Sequence, residues 1–426
     1  MGLSIMAAII IVTTLVGFPL FFSFLLGCIS FFLLTPGLDI MMLPTKMISA
    51  MNSFPFLAIP FFILAGQIMN RGGITRRIFK FADTLVGRFR GGLGYVNILA
   101  SFIFSGMSGS ALADIGGLGV IEIDAMKKAG YDEEFSIGLT AASSTIGPIV
   151  PPSLPFVSYA LFANVSLGTL FLAGFTPGII MVIVLSVMNY YFAKKRNYPV
   201  GDKYKIKEIA RAFFDSFWAL LSPVILICSI WFGWVTPTEA AFICVVYSFF
   251  VGIYIYKDIK VREIPQIMID GFKAMAPCLS IVLVTVVMGF VFNYVGLNKI
   301  IYSFVSGITT NKFIFLLLIN IFLLIIGMIL DPSASMVVLV PILAPVAQMY
   351  GINLVHFGVI ICLNLMIGLL TPPVGMSLYL LVTTTERSFK YIVRSIVPWL
   401  LPLFASLIIV TYMEGLVMFV PNLLGM

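Results

Sequence analysis

Two short stretches decide the fold: residues 146–152 read IGPIVPP, and residues 367–373 read IGLLTPP. Each lies inside a long apolar segment, the first in 135–163 and the second in 354–382. Proline removes a backbone donor and clashes with the preceding turn, so both segments are predicted to be helices broken in the middle. The two copies are displaced by 221 positions, and at this displacement Pro177 also meets Pro398. The match predicts an internal repeat.

Composition places the chain in a bilayer. Hydrophobic residues make up 61% of the 426 residues and charged residues only 10%, against roughly 25% charged residues in a typical soluble domain. Too few polar side chains are present to coat a soluble surface, which excludes soluble, disordered, coiled-coil and secreted disulfide-rich proteins. The net charge of +7 is not a nucleic-acid signal here, because the placement of cations matters more than their sum. The five cysteines lie in apolar stretches and are expected to be small core residues.

Apolar runs of about 20 residues are long enough to cross the hydrocarbon core. Two further apolar stretches, 91–126 and 313–348, are interrupted by small polar residues, and each half has about 15 residues. Re-entrant helical hairpins are predicted there, since irregular backbone at membrane depth must be buried or line a cavity. The ten predicted crossings are 3–16, 18–34, 52–70, 135–163, 168–193, 214–233, 237–256, 273–297, 354–382 and 395–419.

Cations cluster in loops that the predicted topology puts on one side. Residues 71–90 hold six Lys and Arg, 194–211 hold seven, 257–273 four and 387–394 three. The positive-inside rule assigns these loops to the cytoplasm and both chain termini to the periplasm or cell exterior. The arm 71–90 interleaves cations with apolar residues, which predicts an amphipathic helix at the cytoplasmic interface.

This topology puts the two hairpins on opposite sides of the membrane. The fold prediction is therefore an all-α polytopic membrane protein built from two inverted repeats, 1–213 and 214–426, each with a hairpin and a broken helix. That organisation is typical of secondary transporters, whose site lies near the bilayer midplane at discontinuous helices.

The hairpin tips carry the candidate chemistry. The first tip reads FSGMSGSALAD over 104–114 and offers the hydroxyls of Ser105, Ser108 and Ser110. Half-helices meeting at a tip present carbonyls that suit a cation and amides that suit an anion. The alternative is that the small residues only let membrane helices pack closely.

The second tip reads LDPSASMVV over 330–338. Asp331 before Pro332 is the pattern of a helix cap, yet an acidic side chain at membrane depth is a functional candidate by default. Ser333 and Ser335 add further oxygens. At the two breaks, proline is predicted to free the carbonyls of Gly147, Val150, Gly368 and Thr371 for a hard cation such as sodium; a kink without a ligand is the alternative.

No enzymatic constellation is present in the sequence. It contains no Walker loop and no HExxH motif, and its single histidine, His356, has no cluster around it and is expected to be an interfacial side chain. Thr236-Pro237-Thr238-Glu239 is predicted to be a capping box rather than a site. We expect neither enzymatic activity nor an organic cofactor.

Taken in order, FSGMSGSALAD, IGPIVPPS, TPTEAA, LDPSAS and IGLLTPPVGMSLY resemble the large membrane subunit of tripartite ATP-independent periplasmic (TRAP) transporters over essentially the whole chain. Residues 55–79 and the PNLL ending at 421–424 are most similar to the sialic acid type. The alternatives are a C4-dicarboxylate or other organic acid TRAP transporter, or a one-component sodium/anion symporter.

The resemblance implies an elevator-type ion-transporter-like fold and sodium-coupled import of a carboxylate solute across a bacterial inner membrane. It implies two partners, a soluble periplasmic substrate-binding protein and a small four-helix membrane subunit, which is expected to be a separate chain. No nucleic-acid partner is expected.

The resemblance also implies sites. The first sodium ion is expected between Ser105, Ser108, Ser110 and the carbonyls from Gly147 to Val150, and the second between Ser333, Ser335 and the carbonyls from Gly368 to Thr371. The substrate is expected near Ser108, Ser110, Ser153 and Asp331. Neither tip carries a Lys or Arg, so a carboxylate is expected to meet helix amides and bound sodium, or Lys299 reaching in.

Overall fold

The computed structural model describes residues 2–201 and 204–425, without the side chains of Phe54, Pro55, Gly106, Met107, Ser108 and Ser333. Within these limits, six helices are long and apolar enough to cross a membrane, or seven if a bent pair counts as one. The prediction of an all-α polytopic membrane protein is therefore confirmed.

The first half of the chain contains two short apolar helices, a bent pair, the arm, the first hairpin, a broken helix and one long helix. Its helices are α1 Gly2–Leu15, α2 Leu20–Leu34, α3 Met42–Met51, α4 Phe54–Arg71, α5 Ile74–Val86, α6 Gly92–Ser108, α7 Ala111–Asp114, α8 Val120–Lys128, α9 Glu133–Ser144, α10 Leu154–Ala163 and α11 Leu167–Lys195. A π-helical turn, Ile115–Gly119, joins α7 to α8.

The second half contains four long helices, a second amphipathic helix, the second hairpin, a second broken helix and two short helices after the last long one. Its helices are α12 Ile206–Trp231, α13 Pro237–Phe250, α14 Ile264–Val295, α15 Leu297–Ile308, α16 Lys312–Ile329, α17 Pro332–Met349, α18 Leu354–Gly368, α19 Met376–Thr385, α20 Phe389–Tyr412, α21 Glu414–Val417 and α22 Phe419–Leu423.

Both predicted breaks are present. The first separates α9, which ends at Ser144, from α10, which begins at Leu154. The second separates α18 from α19. Each break contains a cis proline bond, Pro151-Pro152 in the first and Pro372-Pro373 in the second. These features recur at the displacement seen in the sequence, which supports the repeat; the division at 213/214 and the inverted orientation stay predictions.

Some helix lengths differ from the prediction. Each half of the second hairpin has 18 residues rather than about 15, because α16 is apolar throughout and α17 continues through Pro341 and Pro345. The predicted crossing 395–419 is wrong at its end, since α20 stops at Tyr412 and the chain continues as two short helices.

The second amphipathic helix, α15, was not predicted. It lies 223 positions after the arm helix α5, in the equivalent place of the other half. The arm helix carries Arg76, Arg77 and Lys80, whereas α15 carries only Lys299 and exposes Ile300, Phe304 and Ile308. Without a run of cations, its apolar stripe did not stand out from the surrounding membrane sequence.

The cationic loops meet at one end of the molecule. Glu133 pairs with Lys127 of the first hairpin and with Arg387 before α20. Burial opposes ionisation of Glu133, but hydrogen bonds and charges from these two cations outweigh it and lower the pKa of its carboxyl group. The arm is tied in the same way, by Arg77 to Asp258. That this end faces the cytoplasm stays a prediction.

Two local predictions were also tested. The capping box is confirmed, because the Glu239 amide donates to Thr236 Oγ1 at 3.3 Å and the Thr236 amide donates to Glu239 Oε2 at 2.7 Å. The position of His356 at the membrane interface stays a prediction, but its side chain is not exposed there. Its ring is buried, and its Nε2 lies 2.8 Å from the carbonyl oxygen of Val410.

Candidate functional site

The first hairpin tip rests on the first break. Gly109, between α6 and α7, has φ +57°, and a Cβ there would lie 2.5 Å from the carbonyl oxygen of Pro152. A side chain would therefore push the tip away from the break. Ser110 follows as the N-cap of the returning helix, and its Oγ accepts from the Ala113 amide at 3.4 Å.

The second hairpin is held equally closely to the second break. A Cβ on Gly368, at the end of α18, would lie 2.7 Å from Cα and C of Gly327 on α16. The amide of Gly375 donates to the carbonyl of Met328 at 2.9 Å, so the start of α19 is fixed to the end of α16. In both halves, the close contact joins a hairpin to a break through backbone atoms.

The two tips share a small cavity. It has a volume of about 60 Å³, and its lining includes Ser110 from the first tip, Asp331 from the second and Pro148 from the first break. Small-molecule sites occupy roughly 300–1,000 Å³. The cavity between the tips is therefore smaller than the usual binding site of a small molecule.

At the first predicted sodium site, the structure brings the tip and the break together. Ser105 is fully buried, and its hydroxyl donates to the carbonyl of Phe102 in its own helix. The carbonyls of Gly147 and Val150 accept no hydrogen bond within the described ranges, as the freed-carbonyl prediction requires. The side chain of Ser108 lies outside the described residues.

Ser153, predicted near the substrate, is fully buried at the start of α10. Its hydroxyl donates to the carbonyl of Pro148 and accepts from the Phe156 amide at 3.2 Å. The hydroxyl thus stabilises the backbone of the break, and it does not line the cavity between the tips.

Asp114 is a site residue that the sequence reasoning missed. It is 2% exposed, and its Oδ2 lies against Gly147, within contact of the place a Cβ would occupy. The carboxyl group therefore lies directly on the first break. The only signal was its position as the last residue of the quoted tip motif.

Two buried hydroxyls in the second half are unsatisfied: Ser335 belongs to the predicted sodium site, and Ser377 does not. Ser335, in the first turns of α17, and Ser377, near the start of α19, are both fully buried, and neither Oγ has a hydrogen-bond partner among the described residues. Buried hydroxyls without a partner cost free energy. Ser377 was missed by sequence reasoning, and the side chain of Ser333 lies outside the described residues.

The freed-carbonyl prediction holds only in part at the second break. The carbonyl of Thr371 accepts no hydrogen bond in the described part of the chain, but the carbonyl of Gly368 accepts from the Thr371 amide at 2.9 Å. The prediction is wrong for Gly368 because the chain tightens into a turn there instead of opening.

The position of Asp331 agrees with both interpretations, a cap of the returning helix and a residue of the candidate site. Its Oδ2 accepts from the Ala334 amide at 3.3 Å, which is a cap for α17. Its side chain is half-buried and lines the cavity. Lys299 does not line this cavity, and neither does any other Lys or Arg that the structure describes.

A polar network joins the first hairpin to the helix before its break. Asn97 Nδ2 donates to Glu122 Oε2 at 2.8 Å and to Thr140 Oγ1 at 2.7 Å, while Ser143 Oγ donates to Asn97 Oδ1 at 2.6 Å. Glu122 was not singled out from the sequence, although it is 1% exposed.

The second half repeats this arrangement with two asparagines and a threonine, and without a carboxyl group. Asn364 Nδ2 donates to Asn320 Oδ1 at 2.7 Å, and Asn320 Nδ2 donates to Thr411 Oγ1 at 3.0 Å. Asn320 stands 223 positions after Asn97, and Asn364 stands 221 after Ser143. Each hairpin is therefore locked to its broken helix by a buried asparagine.

The donor set around the breaks consists mainly of hydroxyl and carbonyl oxygens. Across the described ranges, no three His, Cys, Asp or Glu side chains are grouped to hold a metal ion. Neutral oxygens are the ligands that hard cations accept, so this arrangement fits an alkali cation better than a transition metal.

Broken helices, hairpin tips and a buried oxygen-lined site define a polytopic transport protein. The profile of the tripartite ATP-independent periplasmic transporter, DctM component, matches residues 7–416. The chain therefore belongs to the family of TRAP large permeases, whose members are transport proteins and not enzymes.

Individual relatives support the same assignment. The chain is 42% identical to the sialic acid TRAP transporter large permease protein SiaM of Vibrio cholerae, over 96% of this chain and 95% of SiaM. It is 39% identical to the sialic acid TRAP transporter permease protein SiaT of Haemophilus influenzae over 96% of this chain, which spans 66% of SiaT. It is 35% identical to the C4-dicarboxylate TRAP transporter large permease protein DctM of Pseudomonas aeruginosa, over 94% of this chain and 93% of that protein.

A solved structure shares the fold. The YdaH transporter of Alcanivorax borkumensis superimposes with a TM-score of 0.67 at 14% identity, over 93% of this chain and 97% of YdaH. At this identity the likeness concerns the fold alone.

The contact between Gly368 and Gly327 predicts an order of stabilities. Gly368→Ala puts a methyl group 2.7 Å from the Gly327 backbone, whereas Gly327→Ala meets Gly368 Cα at 3.2 Å. Overpacking of this kind costs about 1–3 kcal/mol, so Gly368→Ala should lower the thermal unfolding temperature in detergent more than Gly327→Ala.

The matched control for this series is Gly307→Ala, on α15, where a Cβ meets nothing within 4 Å. Its unfolding temperature should stay close to the wild-type value. A Gly368→Ala protein as stable as the wild type, or the reverse order of the two variants, would contradict the close contact.

Proposed function

We propose that this chain is the large permease of a sodium-coupled sialic acid importer. In this proposal it works in a bacterial inner membrane with a small four-helix membrane subunit and a periplasmic protein that delivers the substrate. The observation that carries the substrate assignment is the 42% identity to SiaM over almost the whole of both chains.

Sodium coupling is supported by the unsatisfied oxygens at the breaks. The hydroxyls of Ser335 and Ser377 have no partner among the described residues, and the carbonyls of Gly147, Val150 and Thr371 accept no hydrogen bond there. A bound sodium ion would satisfy such groups without requiring a buried carboxylate at each site.

Carboxylate recognition would rest on the tips themselves. Both returning helices begin at the cavity, the first after Ser110 and the second after Asp331. Helix N-termini favour anions, and nearby sodium ions would add positive charge. No cation lines the cavity, so the intrinsic site is weak, which is reasonable where a binding protein selects the substrate first.

A C4-dicarboxylate is the second candidate substrate, because the P. aeruginosa DctM relative is only seven percentage points less identical than SiaM. A carboxylate anchored by helix amides and sodium fits both substrates. The cavity, at about 60 Å³, favours neither until it opens.

Uptake into proteoliposomes tests the proposal directly. The chain is reconstituted with its small subunit, and labelled sialic acid or labelled succinate is offered with and without the binding protein and an inward sodium gradient. We expect sialic acid uptake only when both are present. Uptake with sodium alone would favour a one-component symporter, and uptake of succinate alone would favour the dicarboxylate assignment.

The unsatisfied hydroxyls give a sharper test of sodium coupling. Ser335→Ala and Ser377→Ala break no hydrogen bond among the described residues, so folding should be preserved. Loss of one oxygen from a cation site should raise the sodium concentration for half-maximal uptake about tenfold, the equivalent of about 1.5 kcal/mol for a contact with a charged group.

The control for these variants is Ser406→Ala. Ser406 is also fully buried, but its hydroxyl donates to the Pro402 carbonyl at 3.0 Å within α20. Its loss should affect stability slightly and sodium dependence not at all. Unchanged sodium dependence in both Ser335→Ala and Ser377→Ala would remove the second sodium site from the proposal.

An elevator motion, with the hairpins moving against a scaffold that includes α14, would open the small cavity. A Cβ built on Gly289 of α14 would lie 3.6 Å from Cβ of Pro341 on α17, within the range of a disulfide. The double variant Gly289→Cys, Pro341→Cys should therefore crosslink on oxidation and lose uptake, which reductant should restore.

The single variants Gly289→Cys and Pro341→Cys, oxidised in the same way, control for damage to the five native cysteines. A crosslinked double variant that still transports at the wild-type rate would show that α14 and α17 need not separate, and the elevator proposal would be wrong.

A further inference from the structure

A groove outside the transport site lies between the arm helix α5 and the long helix α12. It has a volume of about 670 Å³, and its charged lining residues are Arg76, Arg77, Lys80 and Asp215. Three cations therefore face one carboxylate. The proposed transport function makes no use of this groove.

Hydrogen bonds, an ion pair and a cation–π contact hold the floor of the groove in place. Ser216 Oγ donates to the Arg77 carbonyl at 3.0 Å, which ties α12 to the arm. The guanidinium of Arg77 lies 3.8 Å from the ring centre of Tyr256 and pairs with Asp258. The Tyr256 hydroxyl accepts from the Ala219 amide and donates to the Asp215 carbonyl, both at 3.0 Å.

Two cations at the rim have no partner of their own. Arg76 and Lys80 are exposed, and neither forms an ion pair within residues 2–201 and 204–425. The guanidinium of Arg77 already contacts the carboxylate of Asp258 and the ring of Tyr256. Its charge is therefore less available to a ligand than the charges of Arg76 and Lys80. The free positive charge of the groove is therefore concentrated at Arg76 and Lys80.

The groove lies where the sequence of α12 changes from charged to apolar. On α12, Lys207 and Arg211 precede the groove, and an apolar helix follows it to Trp231. The aromatic side chains of Phe214 and Trp218 line the groove and are 71% and 38% exposed. Trp and other aromatic side chains are typical of the membrane interface, where an acyl chain lies beside them.

We propose that this groove binds the headgroup of an anionic phospholipid. Arg76 and Lys80 would contact its phosphate, and its acyl chains would lie along Phe214 and Trp218. Basic pockets between membrane helices are the usual sites for such headgroups, and guanidinium groups match phosphate geometry. The exposed aromatic rim favours a lipid over free phosphate, which would leave Phe214 in water.

The test is stabilisation of the purified chain in detergent by added lipid. Phosphatidylglycerol should raise the unfolding temperature in a saturable way, and the zwitterionic phosphatidylcholine should not. In the double variant Arg76→Gln, Lys80→Gln, the half-saturating concentration of phosphatidylglycerol should rise about thirty-fold, the fold-change that corresponds to about 1 kcal/mol for each cation.

The matched control is Lys194→Gln, Arg262→Gln, which removes one Lys and one Arg from exposed positions outside the groove. It should keep the wild-type half-saturation within about twofold, since neither side chain lines the groove. Because Arg76 and Lys80 are exposed, their double variant should unfold at the wild-type temperature without lipid, and each single variant should show about a fivefold weakening.

Three results would overturn the proposal: wild-type lipid affinity in the Arg76→Gln, Lys80→Gln protein, equal weakening in the control, or equal stabilisation by phosphatidylcholine. Inorganic phosphate is tested in parallel to separate the two sources of a phosphate group. Stabilisation by phosphate alone, to the same extent as by phosphatidylglycerol, would overturn the lipid and leave a soluble phosphate as the occupant.

Discussion

The structure depends on backbone contact between each hairpin and the broken segment that it covers. Gly109 lies against the Pro152 carbonyl in the first half, and Gly368 lies against Gly327 in the second. Both contacts leave no room for a side chain, so each hairpin lies directly on its break. Irregular backbone is tolerated at membrane depth only under such cover. The residues that shield each break from lipid therefore also form the candidate site.

Ion pairs and neutral polar groups lie in different parts of the molecule. The breaks are surrounded by hydroxyls, amides and carbonyls, and the two asparagine networks fix each hairpin without a cation. Ion pairs are found instead at the end of the molecule where the cationic loops meet, as between Glu133 and Arg387. The charged groups at the breaks are carboxyl groups, since Asp114 lies on Gly147 and Asp331 lines the cavity between the tips.

The sequence predicted features that arise from neighbouring residues. Paired prolines break a helix wherever they stand, Thr236 and Glu239 cap the helix that follows them, and cations reveal the arm helix α5. It did not predict contacts between distant segments: Asp114 on Gly147, the unsatisfied hydroxyl of Ser377, or the turn that engages the Gly368 carbonyl. The second amphipathic helix was also missed, because in a chain that is 61% hydrophobic an apolar stripe without cations carries little contrast. The sodium and substrate sites themselves stay predictions.

The central claim is that the oxygens left unsatisfied at the two breaks bind sodium. Equilibrium binding of radioactive sodium to the purified chain with its small subunit, followed by scintillation proximity, measures this without transport. The account predicts saturable binding that unlabelled sodium displaces and potassium does not, even when no sialic acid is present. Absence of saturable binding, or displacement by potassium as effective as by sodium, would contradict it.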